Sequence, residues 1–301
     1  MPELAEKMYV VVSLGALSVL IVVSNVSVYA LVCFNKRLRT YTNWFALSLA
    51  ASDILTGAVL MPLTLFKPES VVVAYLSSLI LLWGVGNICA LTYDRFVAAM
   101  MPLQYPCRIP KIFKRTLVAV WLIPTIISLL PLFWATDRAS IFHKWYIACL
   151  EVFGVVVPYI FISVAYIRIF KQVRHSLALR KKFVSAIKQI NEPRRISQDA
   201  KVAKVFCIIS AAFLFSWMPI IYMTTADIFF GRLDIVPSVL GTISFYIVAV
   251  ASLVNPFVYA FLKPDFKVVI RNICRKSKRE EAISMKPLQP CQVKKETASE
   301  S

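Results

Sequence analysis

The stretch VPSVLGTISFYIVAVASLVNPFVYAFL, residues 236–262, decides the fold. It runs for 27 residues without a charge and carries a proline near its far end. A helix crossing a bilayer needs about 20 apolar residues. Strict alternation, the mark of a half-buried strand, is missing, so the stretch predicts a membrane-spanning helix. Backbone amides find no partners in hydrocarbon, so a spanning segment without that alternation must close its hydrogen bonds within itself.

Six more such runs lie N-terminal to it, at Met8–Phe34, Asn43–Phe66, Ser70–Tyr93, Thr116–Trp134, Tyr146–Phe170 and Val202–Ala226. The composition agrees: of 301 residues, 59% are hydrophobic and 17% charged, against about 25% charged in soluble domains. The expectation is an all-α membrane protein, a seven-transmembrane helix bundle. The first run is too long for a cleavable signal and reads as an anchor that stays. The seven cysteines have no metal or disulfide spacing.

The net charge of +18 does not read as nucleic-acid binding. The basic residues fall between apolar runs and in the tail rather than on an aromatic–basic surface. Connections after the first, third and fifth runs hold Lys36, Arg37, Arg39, Arg108, Lys111, Lys114 and Lys171, among others, and the tail adds Lys263, Lys267, Arg271 and Arg275. The opposite connections mix a few cations with Glu69, Asp137 and Asp234. Lysine and arginine bias sets orientation, so the N-terminus is expected outside and the C-terminus in the cytoplasm. After the seventh run, Phe266, Val269, Ile270 and Ile273 make one apolar face beside Lys267 and Arg271. That pattern predicts a short amphipathic eighth helix in the interface, with Cys274 placed where a palmitoyl chain could anchor it. Residues 1–273 form the expected seven-helix domain with its eighth helix, and 274–301 a disordered tail.

Ionisable residues within spans are costly and point to function. Asp53 lies midway along the second run, either as polar glue between helices or as a switch or ion site. Asp94 and Arg95 end the third run as an adjacent opposite pair, either an interfacial anchor or a latch that changes partner. Pro62, Pro124, Pro131, Pro158, Pro219 and Pro256 interrupt spans, and each removes a helix hydrogen bond. No internal repeat of the transporter kind is visible. Neither His143 nor His175 is expected within a span, and no catalytic cluster is legible.

With these residues in place, the chain resembles the rhodopsin-like G-protein-coupled receptors over all seven runs. Ser24-Asn25-Val26 is similar to that family's first-helix Gly-Asn-Val. Ser48 to Asp53 looks like its second helix with the central acid. Asp94-Arg95-Phe96 matches the Asp-Arg-Tyr motif with Phe for Tyr. Trp121 holds the fourth-helix tryptophan position, and Pro158 and Tyr166 fit the fifth helix. Phe213, Ser216, Trp217 and Pro219 fit the sixth, with Ser216 in place of Cys. Asn255-Pro256-Phe257-Val258-Tyr259 is a full Asn-Pro-x-x-Tyr motif, followed by Phe266.

The resemblance implies a plasma-membrane receptor with a small-molecule agonist, a heterotrimeric G protein and arrestin as partners, lipid around it and no cofactor. It implies an activation switch of Asp94, Arg95, Tyr166, Asp199, Phe213, Trp217, Pro219, Asn255, Pro256 and Tyr259. Asp199 is expected to latch Arg95 in the resting state, and the sixth helix to swing outward. It implies a ligand pocket near Ser77, Leu81, Glu151, Trp217, Ile220, Ile221, Phe245 and Ala249, and a sodium site at Asp53, Ser252 and Asn255, where Gly84 and Ala251 replace usual polar partners. The family's outer disulfide has neither half here: Ser70 takes the third-helix position and Ala135–Trp145 has no cysteine. Ser77 stands where amine receptors of the family carry an acid, and the seventh run has no lysine for a retinal Schiff base. A seven-helix homologue that does not couple, or a transporter, is the competing reading.

Overall fold

The computed structural model describes residues 2–67, 70–134, 140–184, 193–231, 235–237 and 239–284, which contain helices and turns and no strand. Helix α1 spans Pro2–Phe34. Helix α2 spans Tyr41–Phe66, with a wide π turn at Thr56–Leu60. Helix α3 is Val71–Met100. Helix α4 is Tyr105–Leu129 and tightens into a 3₁₀ turn at Leu130–Trp134. Helix α5 comprises Ile141–Glu151, a second π turn at Val152–Val156, and Val157–Val184. Helices α6, α7 and α8 are Pro193–Ile228, Leu240–Leu262 and Pro264–Ser284.

Helices α1 to α5 and α7 each contain a segment long and apolar enough to cross a membrane, and α6 carries the apolar run 202–226. Together they form a seven-helix membrane bundle. Its outer surface is greasy: Val19, Val23, Ile126, Phe153, Ile160 and Phe215 are exposed. Such a surface is stable only with lipid as its solvent.

The bundle closes because α7 packs on α1 as well as on α6. Helix α3 runs through the middle, against α2, α4, α5 and α6. Polar side chains tie the helices where lipid offers no hydrophobic drive. Trp121 of α4 donates from Nε1 to Ser48 Oγ of α2 at 2.9 Å, and Trp83 of α3 donates to the Trp121 carbonyl at 2.9 Å. Helices α1 and α2 meet at Gly57, whose carbonyl accepts from the Ser18 hydroxyl. A Cβ on Gly57 would lie 3.0 Å from both the Ser18 carbonyl oxygen and Ile21 Cγ2, so this position requires glycine.

Helix ends differ from the hydropathy reading. Helix α3 continues past Tyr93 to Met100 and carries Asp94 and Arg95 within it. Helix α4 begins at Tyr105, not Thr116. Apolar content falls at the first charge, but backbone hydrogen bonding continues through residues that carry charge on long stems. Helix α5 begins at Ile141, after Ser140 accepts from the Phe142 amide at 3.3 Å. His143 therefore stands in the first turn of the fifth helix and not in the loop before it, and α5 runs on through His175. Helix α8 runs through Ser284, into the stretch read as tail; residues 285–301 lie outside the described residues.

Candidate functional site

Two sites stand at opposite ends of the bundle: a charged network where the basic connections gather, and a cavity at the far end.

The charged network centres on Asp94, fully buried in α3. Burying a carboxylate is tolerable only when it is paired and hydrogen-bonded. Arg95 donates to Asp94 Oδ2 through Nε at 2.9 Å and Nη2 at 2.5 Å. Thr42 of α2 donates its hydroxyl to the same oxygen at 2.7 Å. Tyr105 of α4 donates to Oδ1 at 2.8 Å. Arg95 Nη2 also donates to the Thr42 hydroxyl oxygen. Three helices thus hold one ion pair. The hydroxyls of Thr42 and Tyr105 add partners that the Asp-Arg pattern alone does not signal.

The two tyrosines that the resemblance assigns to the switch stand nearby. Tyr166 of α5 is buried, its hydroxyl toward Thr92 of α3 and Ser210 of α6, within electrostatic reach of Arg95. Tyr259 of α7 is buried within reach of Tyr166 and Asp53, and its ring stacks on Phe266 of α8 with centroids 5.9 Å apart. Lys263, at the α7–α8 junction, is 3% exposed. Its Nζ donates to Asn43 Oδ1 of α2 and lies 5.5 Å from the Phe266 ring centroid. Asn43 in turn donates to the Leu38 carbonyl at 2.6 Å. Burial, and then the positive Arg95, lower the Lys263 ammonium from 10.5 to about 7, with Asp265 and Asp94 pulling the other way. Sequence reading counted Lys263 as one tail cation among many; only its burial sets it apart.

Deeper in the bundle, Asn255 Nδ2 donates to Asp53 Oδ2 at 2.6 Å, and Ser252 stands beside that carboxyl. Asn25 donates to the Ser252 carbonyl at 3.4 Å. The three residues proposed for sodium are thus adjacent. Pro219 and Pro256 lie inside α6 and α7. The side chains of Asp199, Phe213, Trp217 and Cys274 lie outside the described residues.

At the far end, α3, α4, α5 and α6 enclose a cavity of about 360 Å³. Tyr75, Ser78, Ser128, Tyr146, Thr224 and Asp227 are among its lining. Ser78 and Ser128 hydroxyls sit 3.3 Å apart, and Trp134 donates to His143 Nδ1 at 3.3 Å. Of the eight pocket residues read from sequence, the seven with described side chains do not line this cavity. Further along α3, Leu81, Ile220, Phe245 and Ala249 pack in one apolar cluster with Met61. Leu81 and Ile221 meet Val85 and Val155 in another. Ser77 is half-buried beside Ser78. Glu151 accepts from Thr225 of α6, at 3.3 Å to each carboxylate oxygen.

A bundle with a buried ion pair at one end and a small-molecule-sized cavity at the other has the form of a transmembrane receptor. The profile of the family described as "7 transmembrane receptor (rhodopsin family)" matches residues 24–259, and the chain belongs to that family of receptors, which is not one of enzymes. It is similar to the human 5-hydroxytryptamine receptor 4, with 24% identity over 87% of this chain and 78% of that one. It is 27% identical to the human histamine H2 receptor, over 91% of this chain and 82% of the relative. It is 26% identical to the rat trace amine-associated receptor 7c, over 88% and 81%.

Proposed function

We propose that the chain is a G-protein-coupled receptor that passes the binding of a small extracellular molecule to a heterotrimeric G protein. In this reading the basic end is cytoplasmic and the far-end cavity is extracellular. The observation that carries it is the Asp94 network. An arginine held by a buried acid, with Thr42 and Tyr105 bridging α2 and α4, is an element with two discrete arrangements, which coupling between distant sites requires.

In the resting state Arg95 is neutralised by Asp94. Outward movement of α6 about Pro219 opens a cavity at the basic end, and Arg95 turns from Asp94 toward Tyr166 and Tyr259. The α-subunit's C-terminal helix then enters. Asp199, three residues before the apolar run of α6 that starts at Val202, is proposed as a second resting-state partner for Arg95. Asp53, Ser252 and Asn255 are proposed to hold sodium against this movement, with hard oxygen donors suited to that ion. Cys274 is proposed as a palmitoyl anchor, and arrestin as a second partner at the opened end. The relatives named for 5-hydroxytryptamine and histamine support an amine as ligand class, while Ser77 removes the α3 acid that would pair with it.

Basal activation of each major α-subunit class, measured in cells for wild type, Arg95→Ala and Asp199→Ala, tests the reading. Wild-type activity that falls with Arg95→Ala and rises with Asp199→Ala is expected. Surface-expressed wild type that activates no class, even with α6 freed by Asp199→Ala, overturns coupling and favours a non-coupling homologue.

A further inference from the structure

The cavity between α3, α4, α5 and α6 has a chemical character that the sequence motifs do not disclose. Its volume of about 360 Å³ falls at the small end of ligand sites. Hydroxyls dominate its polar lining: Tyr75, Ser78, Ser128, Tyr146 and Thr224. Among the described residues, the lining contains one carboxylate, that of Asp227, and no lysine or arginine. Asp227 is exposed on the last turns of α6, and among the described residues no cation lies within salt-bridge distance of it.

The walls around it are aromatic. Tyr146 lies 5.6 Å from Trp134 and 6.0 Å from His143 by ring centroids, and its hydroxyl reaches Ser78. A negative group with aromatic faces and hydroxyl acceptors attracts an organic cation and repels an anion. A neutral ligand would draw no electrostatic attraction from the carboxylate.

We propose that this cavity binds an arylalkylamine, with its ammonium on Asp227 of α6 and its ring among Tyr75 and Tyr146. The inference rests on the receptor reading for its consequence but not for its test. Asp227 lies about two turns beyond Pro219, so the ammonium sits at the mouth and the ring points inward, toward the Leu81–Ile220 cluster. The cation is held from the helix proposed to move, not from central α3. Glu151 is the competing acid; it lies outside the lining and is already bonded to Thr225.

The test is binding to purified full-length receptor without G protein, followed as the thermal unfolding midpoint against ligand concentration. The probes are 2-phenylethylamine and tryptamine, with 2-phenylethanol and N-acetyltryptamine as neutral counterparts. The amines are expected to raise the midpoint and their neutral counterparts not to. Asp227→Asn should weaken amine binding by about fivefold, the upper range for losing one partner of an exposed charge pair. Asp227→Glu should hold it within about threefold, and Glu151→Gln should leave it unchanged. Asp227 is exposed, so the unliganded midpoint of both Asp227 variants should match wild type.

Amines that do not bind, neutral counterparts that bind equally, or amine binding unaltered by Asp227→Asn would each overturn the assignment. A loss carried by Glu151→Gln instead would move the counter-ion to α5 and overturn it too. Because the readout needs no transducer, a failure here leaves coupling standing, and a silent coupling assay leaves amine binding standing.

Discussion

Thr42 contributes one hydroxyl to two charged groups, donating to Asp94 and accepting from Arg95. Hydrogen bonds to charged groups contribute about 1.5–3 kcal/mol. Thr42→Val keeps the shape and deletes both bonds, so the resting arrangement loses stability that the open one never had. Basal G-protein activation should rise by about tenfold in the limiting case, and Thr42→Ser should restore the wild-type level. Equal activity in Val and Ser variants would mean Thr42 does not restrain Arg95. Lys263 makes a different prediction. Its folded-state value is depressed to about 7, against about 10.4 unfolded. Between those values the unfolded chain holds a proton that the folded chain has released. Stability therefore rises with pH from about 7 to about 10 and is flat below that window. Purified wild-type receptor should gain several degrees in unfolding midpoint between about pH 7 and pH 9.5, relative to Lys263→Met. Parallel curves for the two would rule out a buried, depressed amine. No motif announces Lys263 or Thr42; their roles arise from what α2 brings beside them, and pairing between distant helices is not written in local sequence.

At the scale of elements, hydropathy located all seven spans, because the demand for about 20 apolar residues is a one-dimensional property. It misplaced ends at Met100, Tyr105 and Ile141, where charged or polar residues remain helical. It also could not supply the rotation of each helix about its axis. Ser77 and Ser78 are equally plausible wall residues from sequence, and the helix phase turns Ser78 into the cavity. The Gly57 crossing is an element-scale feature with a direct test. An added Cβ at 3.0 Å from a backbone carbonyl cannot be relieved by a rotamer change, and overpacking of this kind costs about 1–3 kcal/mol. Gly57→Ala should lower the unfolding midpoint, whereas Gly15→Ala on the same α1–α2 pair, with nothing within 4 Å of its new Cβ, should not. Indistinguishable midpoints would show that α1 and α2 can separate freely there.

For the whole molecule, the asymmetry of charge defines a direction across the bilayer. An epitope at the N-terminus should be accessible to antibody on intact cells, and one at the C-terminus only after permeabilisation. The opposite pattern would invert both proposed sites and remove the receptor reading with them. The global fold was the most legible layer because it follows from solvent: lipid on the outside forces helices, and an odd count of crossings agrees with the charge bias. The far-end cavity was the least legible, since four helices contribute to it and only their packing defines its volume.

The two π turns, in α2 and α5, have a further consequence at the level of the gene. Each accommodates one residue more than a regular helical turn, so the segments on either side keep their angular phase despite the surplus. A codon lost from 56–60 or 152–156 would tighten the turn without rotating Gly57's half of α2 or Glu151's half of α5 out of register. Elsewhere in a spanning helix the same deletion swings every later side chain by about 100°. These two short windows are therefore places where a lineage of such receptors can change length inside the membrane and still keep its inward faces inward.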